Sequence, residues 1–322
     1  MRTQLQPIHI RDDSARMQAF EALVGKSGMT LGIACSAGGY RGAFSHGVLA
    51  AFEAAGLRAR IYAAASSTVV PSAYAAAGGI GRLAGPEYWI KGWRIYQQTG
   101  SMSQSFKQGL AEYSHWLKRN LFRPEAARMI IPANRVVGEG AAERSQGAGF
   151  LRLGRELLLM IRHADASWAD RNLELVCFDS RSSGPHRELN PTNLEAVCYA
   201  SSRYLHSGWN QPAWIDGEPY IDAVYTAGIP IKPLLMEDFS DVVVIHHEPE
   251  WPYLDFFRSE ILPEELDGPE LHVLGPEGRL AEIEVEVMHA SEEGLAKAFE
   301  LGHAQGDKLL QENCKLLEVA DR

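Results

Sequence analysis

The stretch MTLGIACSAGGYRGAFSHGVLAAFEAAG, residues 29–56, begins with a short apolar run, passes through glycines and ends in apolar residues at helical spacing. Residues 29–37 read as a buried strand, Gly38, Gly39 and Gly42 as a tight turn, and residues 40–56 as a helix closed by Gly56. The pattern then repeats. RARIYAAASS (58–67) is a second strand, and TVVPSAYAAAGG (68–79) a second helix with Pro71 in its first turn. Two strand–turn–helix units in succession predict an α/β domain with a mainly parallel central sheet flanked by helices.

Outward from this core, residues 1–27 read as a polar extension with a short helix over 13–25. Residues 86–165 differ from their surroundings. They carry Trp89, Trp93, Tyr96, Phe106, Tyr113, Trp116 and Phe122, a glycine-rich stretch at 138–149, and FLRLGRELLLMIRHA (150–164), and read as a helical insertion. Strands resume at LELVCFDS (173–180), a helix follows at 191–202, and WIDGEPYIDA (214–223) reads as a hairpin turning at Asp216-Gly217. DVVVIHHE (241–248) and ELHVLGPEG (270–278) are further strands. Residues 291–319 form a closing amphipathic helix with Ser291 as N-cap.

The chain has 322 residues, enough to bury a sizeable core, and an ordinary globular composition. Its formal net charge of −10, with no cluster of Lys and Arg, argues against a nucleic-acid partner. Cys35, Cys177, Cys198 and Cys314 are scattered and fit no metal-ligand spacing, so they read as buried thiols in a reducing compartment. The N-terminus lacks the uninterrupted apolar segment of a secretory signal, and no run of 18 apolar residues is present. The expectation is a cytoplasmic protein that needs no metal or cofactor. Peripheral contact with a membrane surface stays open, and the oligomeric state is not legible.

Chemistry concentrates in three segments. In CSAGGYRGAF (35–44) the glycines let backbone N–H groups converge in front of a helix N-terminus, forming an anion site. A Walker loop would need Lys-Ser/Thr after its last glycine, where Ala43 and Phe44 stand. A dinucleotide site would need a carboxylate at the tip of the second strand, which is Ala63-Ala64-Ala65-Ser66. That tip offers a serine instead, and a hydroxyl on a sharp strand-to-helix turn suits nucleophilic attack with the glycine loop as oxyanion hole. In the third segment Asp222 follows the apolar pair Tyr220-Ile221, where partial desolvation would raise its basicity.

These segments together resemble the patatin-like phospholipases, acyl hydrolases that use a Ser–Asp dyad without histidine. The family's GGGxRG motif stands here as Ala37-Gly38-Gly39-Tyr40-Arg41-Gly42, and its GxSxG as Ala64-Ala65-Ser66-Ser67-Thr68. Its Asp-Gly-Gly/Ala falls on Asp222-Ala223-Val224, after a Gly217-x-x-Tyr220-x-Asp222 lead-in. AVCYASSRYLHSGW (196–209) and AFELGHAQG (298–306) extend the similarity to residues 28–310. The resemblance implies a three-layer patatin-like fold over residues 28–322 and a lipid-like acyl ester as substrate. It implies Ser66 as nucleophile, Asp222 as base, the Gly38, Gly39 and Tyr40 amides as oxyanion hole, and Arg41 and Gly42 as its support. Spacing to Ala76-Ala77-Gly78 favours Ser66 over Ser67.

Around the serine and the aspartate, glycines of the family pattern are replaced. Ala64 and Thr68 replace both glycines of GxSxG, and Ala223 replaces the glycine after the aspartate. Thr68 is expected to load a strained turn, and Ala223 to remove freedom beside the base. The alternatives are an acyltransferase or thioesterase on the same dyad, a silent acyl-binding protein, and a Ser66–Asp222–His246 or His247 triad. Asp179 reads as a turn residue and His46 as packed or on the surface.

Overall fold

The computed structural model describes residues 30–316, apart from 183, 236, 238, 251, 258–268 and 314. The expected N-terminal extension with its helix, and Cys314, lie outside the described residues. The remainder is α/β, with a mostly parallel sheet covered by helices and loops on both faces.

β1 (Leu31–Cys35) is fully buried and lies between β2 (Ile61–Ala64) and β8 (Asp241–Ile245), parallel to both. β3 (Arg128–Val136) extends the parallel set beyond β2, and β9 (Glu270–Leu274) extends it beyond β8. β4 (Leu173–Asp179) runs antiparallel to β3 and carries the short β5 (Arg187–Glu188). The hairpin β6 (Trp214–Ile215) and β7 (Glu218–Ile221) joins through β7 on β3. Asp216 and Gly217, the expected turn, both have positive φ, as a tight two-residue hairpin requires.

Alternation along the central strands explains the two covered faces. Leu31, Ile33 and Cys35 of β1, with Val243 and Ile245 of β8, enter the larger core beneath the helices. Ala34, Val242 and Val244 face the opposite core, which Ile229, Ile231, Leu234 and Phe239 close. On the first face the helix Gly42–Ala54 packs against the closing helix Glu292–Glu312. The contact is backbone to backbone: a Cβ on Gly47 would lie 2.0 Å from the Phe299 carbonyl oxygen, and one on Gly302 2.0 Å from that of Phe44. The Ser291 Oγ accepts the Gly294 N–H at 3.0 Å, confirming the expected N-cap.

The segment 86–165, read as a helical insertion with a glycine-rich loop, also contributes a strand to the sheet. Helices Pro86–Thr99 and Met102–Asn120 are followed by β3, a nearly buried strand in the body of the sheet. The glycine-rich stretch holds the helix Ala141–Gln146, clamped under the hairpin. The Gln146 side chain donates to the Tyr220 carbonyl and accepts from the Ala213 N–H, each at 2.9 Å.

The topology sets where a ligand can bind. The chain runs from β1 outward through β2 to β3 on one side, while β8 and β9 fill the other. In open α/β sheets ligands sit at the carboxyl ends of the strands flanking such a reversal.

Candidate active site

The loops after β1, β2, β7 and β8 meet at that position and line a cavity of about 430 Å³, within the roughly 300–1,000 Å³ of small-molecule sites. Trp89, Met102, Phe106, Tyr113 and Trp209 form its apolar wall. The aromatic residues of the helical pair therefore serve both as core and as cavity lining.

Ser66 and Asp222 face each other there. The Ser66 Oγ donates to Asp222 Oδ2 at 2.8 Å, and both residues are buried. Ser66 opens a 3-10 turn, Ser66–Thr68, between β2 and the helix Val69–Ala76. Its φ of +58° is left-handed, a conformation that costs a non-glycine residue about 1–2 kcal/mol. The helical segment before Asp222 holds both halves in place. Ser201 Oγ accepts the Ser66 N–H at 3.2 Å, and the Ser201 carbonyl accepts the Ala223 N–H at 3.2 Å. The Arg203 carbonyl accepts the Asp222 N–H, and Asn134 Nδ2 donates to the Asp222 carbonyl at 2.7 Å.

Burial raises the Asp222 carboxyl to about 7, against the downward pull of the Val224 N–H on Oδ1 and of the Ser66 hydroxyl. A carboxylate with this affinity for protons can act as a general base near neutral pH. Asp222 pairs with no cation among the described residues, so desolvation sets its basicity.

The glycine loop supplies two amides. Neither the Gly38 nor the Gly39 N–H has an acceptor among the described residues, and both residues line the cavity. The Ser67 N–H, one residue beyond Ser66, is in the same state. This third donor was missed in the sequence, although its position after the serine is where a nucleophile elbow places one. Tyr40 is a correction: its N–H donates to the Val287 carbonyl at 3.1 Å and is not offered to the cavity. Steric contact requires the glycines. A Cβ on Gly38 would lie 2.2 Å from His247 Nδ1; Gly39 has φ +57° and would place a Cβ 1.9 Å from the Val287 oxygen. A Cβ on Gly42 would meet the Trp89 ring at 2.6 Å. Arg41 forms an ion pair with Glu248, tying the loop to the chain beyond β8.

Ala64, Thr68 and Ala223, which stand where the family pattern has glycine, have backbones that do not need it. Thr68 (φ −85°, ψ −4°) and Ala223 (φ −62°, ψ −24°) are both right-handed, and Ala64 is an ordinary strand residue. Thr68 is buried, and its Oγ1 reaches the carbonyls of Ala65 (2.9 Å), Ser36 (3.1 Å) and Cys35 (3.3 Å). The expected loading of the turn by Thr68 is thus replaced by a hydroxyl that joins the Ser66 turn to the end of β1.

The histidines stand apart from the dyad. His247 Nδ1 lies 3.2 Å from the Ala37 carbonyl and 3.0 Å from Ser36 Oγ, and Nε2 lies 2.7 Å from Ser45 Oγ. A carbonyl can only accept, so Nδ1 carries the proton and Nε2 accepts from Ser45. Burial lowers His247 to about 3 and His246 to about 4, so both are neutral. Neither bonds to Ser66 or Asp222, and the triad arrangement is not formed. His46 is buried and accepts from Trp89 Nε1. Asp179 is buried beside Arg128, with which it pairs at 2.9 Å, away from the cavity.

No protein-family model matches this chain, and a search of curated proteins finds no relative. Among the described residues, no helix is long and apolar enough to cross a membrane.

Proposed function

We propose that this protein is a serine acyl hydrolase of patatin-like type, acting on a lipid-like acyl ester through the dyad Ser66–Asp222. The observation that carries this reading is the 2.8 Å hydrogen bond from a left-handed Ser66 to a buried, proton-seeking Asp222 beside the unspent amides of Gly38, Gly39 and Ser67. Ser66 Oγ attacks the acyl carbonyl carbon as its proton passes to Asp222 Oδ2. The carbonyl oxygen, now negative, is met by the Gly38 and Gly39 N–H groups; losing one such donor costs on the order of 100- to 1,000-fold. Collapse breaks the ester bond, and Asp222 returns the proton to the departing alcohol oxygen. Water then attacks the acyl-Ser66 ester, giving a proton to Asp222; collapse breaks the acyl–Oγ bond, Asp222 returns that proton to Ser66 Oγ, and the free acid leaves.

The apolar wall of Trp89, Met102, Phe106 and Trp209 suits a hydrocarbon chain. Cys35, Cys177 and Cys198 are free thiols, which supports a reducing, cytoplasmic location for the enzyme. Hydrolysis of p-nitrophenyl esters of graded chain length tests the reading. Turnover that falls at least about 100-fold in Asp222→Asn supports it. Equal turnover in parent and variant, or none at any chain length in the folded parent, overturns it.

A further inference from the structure

We infer that the helix Phe150–Arg162 is the face by which this protein settles on an anionic lipid surface. The inference concerns a face outside the cavity and stands independently of the acyl-hydrolase reading.

One side of this helix is fixed to the body of the molecule. Leu153 and Leu157 enter a core with Leu205, Val224 and Tyr225, and a Cβ on Gly154 would lie 1.9 Å from the Leu205 carbonyl oxygen. The other side faces outward. Seven large apolar side chains are exposed among the described residues, and three of them stand on this helix: Leu151 (36%), Leu158 (46%) and Leu159 (60%). That is a concentration, where surface leucines are ordinarily scattered singly. At the helical repeat, these leucines share an arc of about 120° with Arg152, Arg155 and Arg162, turned away from Leu153 and Leu157. Arg155 and Arg162 are exposed and form no ion pair among the described residues. The one carboxylate of the helix, Glu156, falls outside the arc and pairs with Arg144 and, at 3.1 Å, with Arg152.

Leucines interleaved with guanidinium groups suit a helix lying in the plane of a bilayer interface, its leucines among the acyl chains and its arginines among the phosphates. Charge selects this occupant over a second copy of the chain. Two such faces together would bring like charges into contact, with no carboxylate in the stripe to meet them. The chain as a whole carries −10, so a face with free cations is the side that an anionic surface attracts. The face is also joined to the cavity. Tyr204 and Val224 pack in the core beneath this helix and line the cavity as well, so the helix and the cavity share a wall.

The test is co-sedimentation of the full chain with vesicles of diether phosphatidylcholine, with or without about a quarter of diether phosphatidylserine. Ether lipids hold no acyl carbonyl, so the result does not depend on hydrolysis. At low ionic strength the parent is expected to bind the anionic vesicles at least about tenfold more tightly than the neutral ones. Arg155→Gln combined with Arg162→Gln should weaken that binding roughly 20-fold and flatten its salt dependence. Leu158→Gln combined with Leu159→Gln changes exposed positions only, and should weaken it at least about tenfold. A parent that leaves the anionic vesicles unbound overturns the proposal, as does binding that either double variant keeps at the parent's strength. A parent that self-associates through Leu158 and Leu159 in sedimentation equilibrium, without binding vesicles, assigns the face to a second copy and overturns it too.

Discussion

Gly38 lies so close to the His247 ring that a methyl group on its Cα would stand 2.2 Å from Nδ1. The imidazole is fixed in turn by Ala37, Ser36 and Ser45, so the loop bearing the Gly38 and Gly39 amides rests on a hydrogen-bonded, neutral ring. Gly38→Ala must push the loop off this ring. A displacement of about 1 Å in such a site costs about 100-fold in rate. The expected outcome is a folded protein with kcat reduced by that order, measured beside its circular dichroism spectrum.

His247→Ala separates support from proton transfer. Removing the ring leaves a void and two serine hydroxyls without a partner, so a loss of about 2–4 kcal/mol is expected in denaturant titration. The residual activity should keep the parent's pH midpoint, because Asp222 titrates unchanged. A midpoint displaced by a unit or more would make His247 a proton-transfer group.

Thr68→Gly restores the residue found at this position in GxSxG turns, yet it should not help. Thr68 already has a right-handed backbone, and its hydroxyl joins the Ser66 turn to β1. Loss of that bond and the added freedom of glycine together predict destabilisation by about 2 kcal/mol. Activity should stay at or below that of the parent. A variant several-fold faster would show that Thr68 holds the turn in a poor geometry.

Asp222 gives two pH dependences of opposite sense. As a base it must be ionised, so kcat/KM should rise with pH through about 7 and level off above it. Stability runs the other way. The folded carboxyl keeps its proton up to about 7, whereas in the unfolded chain it is lost near the ordinary value of about 3.9. Between these values the folded state binds more protons, so stability falls as pH rises, by a total on the order of 4 kcal/mol. Denaturant titrations at pH 4.5 and 8 should show Asp222→Asn more stable relative to the parent at the higher pH. An equal difference at both would place the carboxyl at its ordinary value.

Much of this was legible in the sequence because it rests on local pattern. The runs LGIAC, IYAA and DVVVI are buried on both faces and read as central strands without further information. Ser66 was singled out because it follows such a strand, and Asp222 because it follows the apolar pair Tyr220-Ile221. β3 was missed: Pro132 and Asn134 interrupt its apolar run, and it follows a long helical pair. Pro132 fits because it lacks only a donor, and Asn134 because its side chain bonds to the Asp222 carbonyl and to Thr226. The Tyr40 amide was misassigned because its acceptor, Val287, is distant in sequence and reaches the loop only after folding. Ser201 and His247 act through contacts of the same long-range kind, which spacing along the chain does not reveal.

The central claim is that the Ser66 oxygen is the nucleophile. Incubation with a fluorophosphonate, followed by intact-mass and peptide-mass analysis, measures this directly. The parent should gain one phosphonyl group, located on the peptide containing Ser66. Ser66→Ala should gain none, and Asp222→Asn should react far more slowly. A folded parent that takes up no label, or a Ser66→Ala protein labelled at the parent's rate, would contradict the account.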